Sequence, residues 1–162
     1  MTGAQAIAEE LKRAGITACF CYPGGTVSRL LQAIDDIGIR VIVGVNEAGA
    51  GHAAQGFFRA GGGTAVVVAT SGPGVTNALT PLADSFYDHD DVLYLLGQVA
   101  TNQMGRHTRQ DGFQWTPTVR LTQPISIIAV EPYSHVAECV AAALEQTRGG
   151  PVVVSIPSDL LA

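Results

Sequence analysis

Charge is scarce in this chain. Only 14% of its 162 residues are charged, against about 25% in an ordinary soluble domain. The balance is acidic, with a formal net charge of −5, so no basic footprint for nucleic acid is present. Cysteine is rare as well. Cys19, Cys21 and Cys139 form an odd set without a C-x-x-C pair, which argues against a disulfide framework or a zinc site. No apolar run reaches the roughly 18 residues of a membrane span. The opening MTGAQAIAEELKRAG mixes acids and bases on an amphipathic helix, unlike a signal peptide. These absences lead to the expectation of a cytoplasmic protein. His52, His89, His107 and His135 are scattered, with no H-x-x-x-H or H-x-E spacing, so no metal site is expected. No G-x-S-x-G occurs and no Ser-His-Asp set can be argued.

What remains is apolar and small. The chain is 47% hydrophobic and holds 19 glycines. A chain of this composition has a large core or a large buried interface. Its pattern is strand then helix, repeated. Helical spacing runs over residues 3–14 and ends at Gly15. ACFCY (18–22) reads as a strand, 26–37 as a helix, 40–45 as a strand and 47–60 as a helix of small residues. TAVVVAT (64–70) is a strand buried on both faces, followed by a helix near 75–87 and a strand at 92–97. Residues 98–120 are irregular, 124–130 strand-like, 133–147 helical and 151–156 a last strand. Such alternation predicts an α/β domain over 1–162: a doubly wound parallel sheet of about six strands with helices on both faces.

Ligands in these folds sit outside the carboxyl ends of strands. The loops that follow strands are therefore the ones to read: 23–25, Asn46–Glu47, 71–74 and 97–105. In SGPG, Gly72 and Gly74 bracket Pro73 before a helix start. Glycines there admit a ligand to free backbone N–H groups, although a tight turn alone would look the same. It is not a dinucleotide fingerprint, because Asn77 stands where the third small residue belongs, and no Lys-Ser/Thr follows to make a Walker loop. Glu47 can be read plainly as a first-turn acid favoured by the helix dipole, with Asn46 as N-cap. Yet Gly49, Ala50, Gly51, Ala53, Ala54 and Gly56 surround it. Small residues invite close packing by a flat ligand or a partner. A poorly solvated carboxylate there would hold a proton well and could share it with a ring nitrogen. His52 lies five residues beyond Glu47, on a different helix face.

CYPGG (21–25), NEAGAGHAAQGFFRAGG (46–62), TSGPGVTNALTPLADSFYD (70–88), GQVAT (97–101), FQ (113–114) and GGPVVVSIPSDL (149–160) occur in that order. Together they resemble the N-terminal pyrimidine-binding domain of thiamine diphosphate enzymes, in particular the acetolactate synthase branch. The resemblance implies that Glu47 hydrogen-bonds the aminopyrimidine ring nitrogen and promotes the imino tautomer that generates the thiazolium ylide. It places Pro23, Gly24, Gly25, Ser71, Gly72, Pro73, Gly74 and Asn77 at the cofactor. It places Tyr22, Gln98, Phe113 and Gln114 near the substrate, with Gln114 joining Glu47 in catalysis.

The resemblance also marks departures. Asn46 stands where the family usually has His before the acid, and Trp115 where acetolactate synthases continue Phe-Gln with Glu. Ile127 replaces a family Lys, and GRHTRQDG (105–112) carries about four extra residues. These changes bear on the second substrate. The paired histidines of pyruvate decarboxylases are missing. The family holds diphosphate and Mg²⁺ in a separate domain through a GDG motif, and no GDG occurs here. The resemblance thus implies a split enzyme. A separate diphosphate-binding subunit would bring Mg²⁺, and α₂β₂ is the smallest closed arrangement. The expected reaction is decarboxylation of a 2-oxo acid such as pyruvate, then carboligation. The alternatives are a subunit of a non-carboligating decarboxylase of the sulfopyruvate or phosphonopyruvate type, or a non-catalytic partner-binding subunit. No flavin is expected on this chain.

Overall fold

The computed structural model describes residues 1–105 and 112–162. His107 and most of the GRHTRQDG segment lie outside the described residues. Six strands form one all-parallel sheet: β1 (Ala18–Cys21), β2 (Arg40–Val43), β3 (Ala65–Ala69), β4 (Val92–Gln98), β5 (Ile128–Val130) and β6 (Val152–Pro157). Their spatial order is β2-β1-β3-β4-β6-β5. Among the described residues six α-helices connect or flank them: α1 (Gly3–Arg13), α2 (Ser28–Asp36), α3 (Glu47–Phe57), α4 (Pro73–Asp88), α5 (Thr118–Thr122) and α6 (Val136–Glu145). The α/β alternation expected from the sequence is therefore realised.

Strand alternation sorts the core into two layers. Cys19, Cys21, Val66, Val68, Leu93 and Leu95 face one side, where Ile7, Leu11, Leu30, Ile34 and Val140 of α1, α2 and α6 cover them. Ala18, Phe20, Val67, Ala69, Tyr94 and Leu96 face the other, against Ala50, Ala54, Val75, Ala78 and Leu82 of α3 and α4. Both faces being covered explains why the central strands read as unbroken apolar runs. Cys19 and Cys21 are free thiols on one buried face, as their two-residue spacing implies.

Several boundaries differ from the sequence expectation. The 124–130 strand shrinks to Ile128–Val130, because a short helical turn occupies Gln123–Ile125. Hydroxyls drive this: Thr122 Oγ1 donates to the Thr118 carbonyl and Ser126 Oγ to the Thr122 carbonyl, both at 2.9 Å, and such local bonds compete with a strand ladder. The small-residue helix ends at Phe57 and passes into a wide turn over Phe58–Gly62, where Gly61 takes φ 83°. The second strand stops at Val43, so Gly44 and Val45 lead into the Asn46 cap.

The topology fixes where a ligand can enter. The chain leaves β1 toward one edge through α2 and returns past it through α3 to β3. The β1/β3 boundary is thus a switch point, where loops diverge at the carboxyl ends and leave a crevice. The loops after β1, β2 and β3 all open there.

Candidate active site

Asn46 opens α3 from extended backbone, and its side-chain oxygen accepts the Gly49 N–H at 2.7 Å. This is a regular N-cap. The next residue, Glu47, is only 6% exposed. It has no cation within salt-bridge range among the described residues. Its one side-chain hydrogen bond among them comes from Asn77, whose Nδ2 donates to Oε2 at 3.0 Å. The other oxygen, Oε1, stands over Gly74, where a Cβ would lie 3.3 Å from it. Burying a carboxylate without a cation is costly, even with the helix dipole and one amide in compensation.

The floor around Glu47 is assembled from three loops by hydroxyls. Thr26 Oγ1 and Thr70 Oγ1 are 3.0 Å apart, and the Ser71 N–H donates to Thr26 Oγ1 at 3.1 Å. A side chain on Gly24 would collide with Thr70, and one on Gly72 with the Phe113 carbonyl. Gly72 also adopts φ 62°, ψ −112°, which strongly favours glycine. Ser71 Oγ donates to Gln114 Oε1 at 3.3 Å. The loops carrying Tyr22–Gly25, Ser71–Gly74 and Phe113–Gln114 are thus laced together beside Glu47.

Helix α3 reaches this place because it is thin. Gly51 abuts the Pro81 ring of α4, and a Cβ there would run into it. Gln55, buried below, donates from Nε2 to the Pro81 carbonyl at 3.0 Å and to Ser85 Oγ at 3.1 Å. Ser85 Oγ and Tyr94 Oη lie 3.1 Å apart. The small residues Gly51 and Ala54 therefore serve packing against this chain's own α4, whereas Ala53 and Gly56 face outward.

The family model described as "thiamine pyrophosphate enzyme, N-terminal TPP binding domain" matches residues 1–117. The chain belongs to this family. This thiamine pyrophosphate (TPP) enzyme N-terminal domain is 37% identical over 165 residues to the acetolactate synthase large subunit of Lactococcus lactis, covering 98% of this chain and 28% of the relative. It is 35% identical to the Escherichia coli acetolactate synthase isozyme 2 large subunit, covering 99% and 29%. It is 34% identical to the chloroplastic acetolactate synthase of Arabidopsis thaliana, covering 98% and 24%. The chain spans about a quarter of the length of these curated relatives.

The residues present in this TPP-family domain fit the pyrimidine half of such a cofactor. A buried carboxylate with one open oxygen and no cation beside it among the described residues suits a protonated ring nitrogen as acceptor. A glycine floor lets a flat ring approach it. Tyr22 and Phe113 are exposed at the mouth, as are Pro23 and Gly25. Gln114 is exposed and turned to Ser71. Gln98 is placed differently. It is 1% exposed and committed to the interior: Nε2 donates to the Thr116 carbonyl at 2.8 Å and Oε1 accepts the Val99 N–H at 2.9 Å. With Trp115, Thr116, Glu131 and Tyr133 it lines a cavity of about 610 Å³. His52 points away from Glu47, its Nδ1 2.7 Å from Gln55 Oε1. Thr26 and Thr70, which tie the loops together, were not singled out from sequence. Their signal was present all the same: hydroxyls immediately flanking glycine turns at the ends of β1 and β3. No group of three potential metal ligands occurs among the described residues, and no helix there is long and apolar enough to cross a membrane.

Proposed function

We propose that this domain supplies the pyrimidine-binding half of a thiamine diphosphate site in an acetolactate synthase-like enzyme acting on a small 2-oxo acid such as pyruvate. The observation that carries the reading is Glu47: buried and, among the described residues, without a cation and open at one oxygen over Gly74. Thiamine diphosphate, when bound, supplies the electron sink for breaking the bond between the carbonyl carbon and the carboxylate of the 2-oxo acid. The protein's part is positional and electrostatic. Glu47 holds or receives a proton at Oε1. The Tyr22–Gly25 and Ser71–Gly74 segments wall the ring side, and Asn77 bonds Glu47 behind it. Tyr22, Phe113 and Gln114 line the substrate mouth and exclude water, with Gln114 orienting the reacting carbonyl.

A diphosphate-binding domain must complete this half-site, and we assign it to a separate subunit carrying Mg²⁺, in an α₂β₂ assembly. The exposed apolar rim of Tyr22, Val43, Val45 and Phe113 supports a covering surface there. Calorimetric titration of thiamine diphosphate and Mg²⁺ into the native assembly tests the reading, with hydrogen–deuterium exchange at the thiazolium C2 as the chemical readout. Tight binding is expected, with exchange in Glu47→Gln slowed at least about 100-fold. Wild-type exchange in that variant would overturn the assignment. Mass spectrometry of the native assembly decides between a two-chain arrangement and one continuous polypeptide. Product analysis with pyruvate separates carboligation from simple decarboxylation. A 2-hydroxy-2-methyl-3-oxo acid supports the first, an aldehyde alone the second.

A further inference from the structure

The two oxygens of Glu47 occupy different surroundings. Oε2 receives the Asn77 amide at 3.0 Å, whereas Oε1 looks over Gly74 and has no hydrogen bond among the described residues. An amide nitrogen can only donate, so Oε2 is confined to the acceptor role. We infer that Asn77 is a positioning residue that divides the carboxylate's labour: it fixes Oε2 as a permanent acceptor and leaves Oε1 as the oxygen that carries and exchanges the proton. The inference rests on the proposed role of Glu47 and adds to it which atom works and what holds it.

The placement supports this division. Asn77 lies on α4, one turn beyond Gly74, while Glu47 opens α3, so the bond joins the two helix starts that flank the crevice. Glutamate has three side-chain torsions. A fixed donor on one oxygen removes the alternatives in which Oε1 turns away from the ring side. Asn77 is itself exposed, and no core contact explains its amide.

The test uses the native assembly with thiamine diphosphate and Mg²⁺, comparing Asn77→Ala and Asn77→Asp with the wild type. Thiazolium C2 exchange should fall about tenfold to a hundredfold in Asn77→Ala, as expected for loss of one hydrogen bond to a charged group. The cofactor dissociation constant, measured by calorimetry, should change less than about threefold, because Asn77 touches Glu47 rather than anchoring the ligand. Asn77→Asp preserves shape but removes the donor and adds a like charge, so it should exchange at least as slowly as Asn77→Ala. If Asn77→Asp keeps the wild-type rate, shape alone matters and the inference is wrong. It is equally wrong if affinity and exchange fall together, which would make Asn77 a structural wall. The underlying reading fails separately, if Glu47→Gln exchanges normally.

Discussion

The two ends of the sheet differ in kind. At the amino end a cavity of about 590 Å³ opens between α1, α6 and the starts of the strands, lined by Glu10, Arg13, Asp91, Glu145, Thr147 and Arg148. Part of its charge is compensated locally. Arg13 pairs with Glu10 at 2.7 Å, and Asp91 accepts the Gly149 N–H at 2.7 Å. At the carboxyl end the crevice beside Glu47 holds a carboxylate that is buried, half-bonded and, among the described residues, without a cation. The volume of a cleft says little about chemistry. An acid kept where folding alone would not keep it says much more.

That contrast can be broken by substitution. The largest effect should come from Glu47→Gln. It should slow C2 exchange at least about 100-fold and leave stability unchanged or raise it by about 1 kcal/mol, since an uncompensated buried charge is removed. Chemical denaturation and exchange on the same sample check both halves. A stability loss above about 2 kcal/mol would make Glu47 a structural residue. Next comes Gly51→Val, which forces a branched side chain into the Pro81 ring. Overpacking at so tight a seam should cost about 2–3 kcal/mol in a denaturation midpoint series. Gly72→Ala should cost about 1–3 kcal/mol for its positive φ, and should weaken cofactor binding by displacing Phe113 and Gln114. At the amino end, Arg13→Ala should change stability by less than about 1 kcal/mol, as an exposed pair does. It should leave calorimetric cofactor binding at wild-type values. A binding defect there would overturn the division between the two ends. The smallest readout is thiol labelling. Burial pushes the Cys19 thiol well up, with help from neighbouring Cys21, and burial also raises Cys21 and Cys139. Half-buried Cys139 should still react first, because Cys19 and Cys21 are fully enclosed.

Legibility in the sequence followed the same divide. Strands β1, β3, β4 and β6 were readable because burial on both faces leaves only one kind of residue to use. The helices announced themselves through Gly15 and the Asn46 cap, whereas α4 begins at Pro73, two residues before the start read from sequence. The loops beside Glu47 were readable because turns at a switch point demand glycine in places where few other residues fit. The 98–120 region was opaque because its order comes from partners distant in the chain. Gln98, for example, is held by the Thr116 carbonyl and by Glu131, 33 residues away. PISIIAV misled for a local reason, since Pro124 and two back-bonding hydroxyls outcompete its apolar pattern. The Asn77–Glu47 bond spans 30 residues. Each partner stood in a readable motif, but nothing in either stretch showed that they touch.

Pro81 has one more consequence. Lying four residues beyond Asn77 within α4, it has no N–H to offer the Asn77 carbonyl. The first turns of α4 are therefore joined to the remainder by one rung fewer than an ordinary helix has. The remainder is clamped to α3 through Gly51 and Gln55. The half that carries Gly74 and Asn77 is held instead by Val75 and Ala78, which are buried in the core beside the sheet, so the two halves of α4 are anchored by different means.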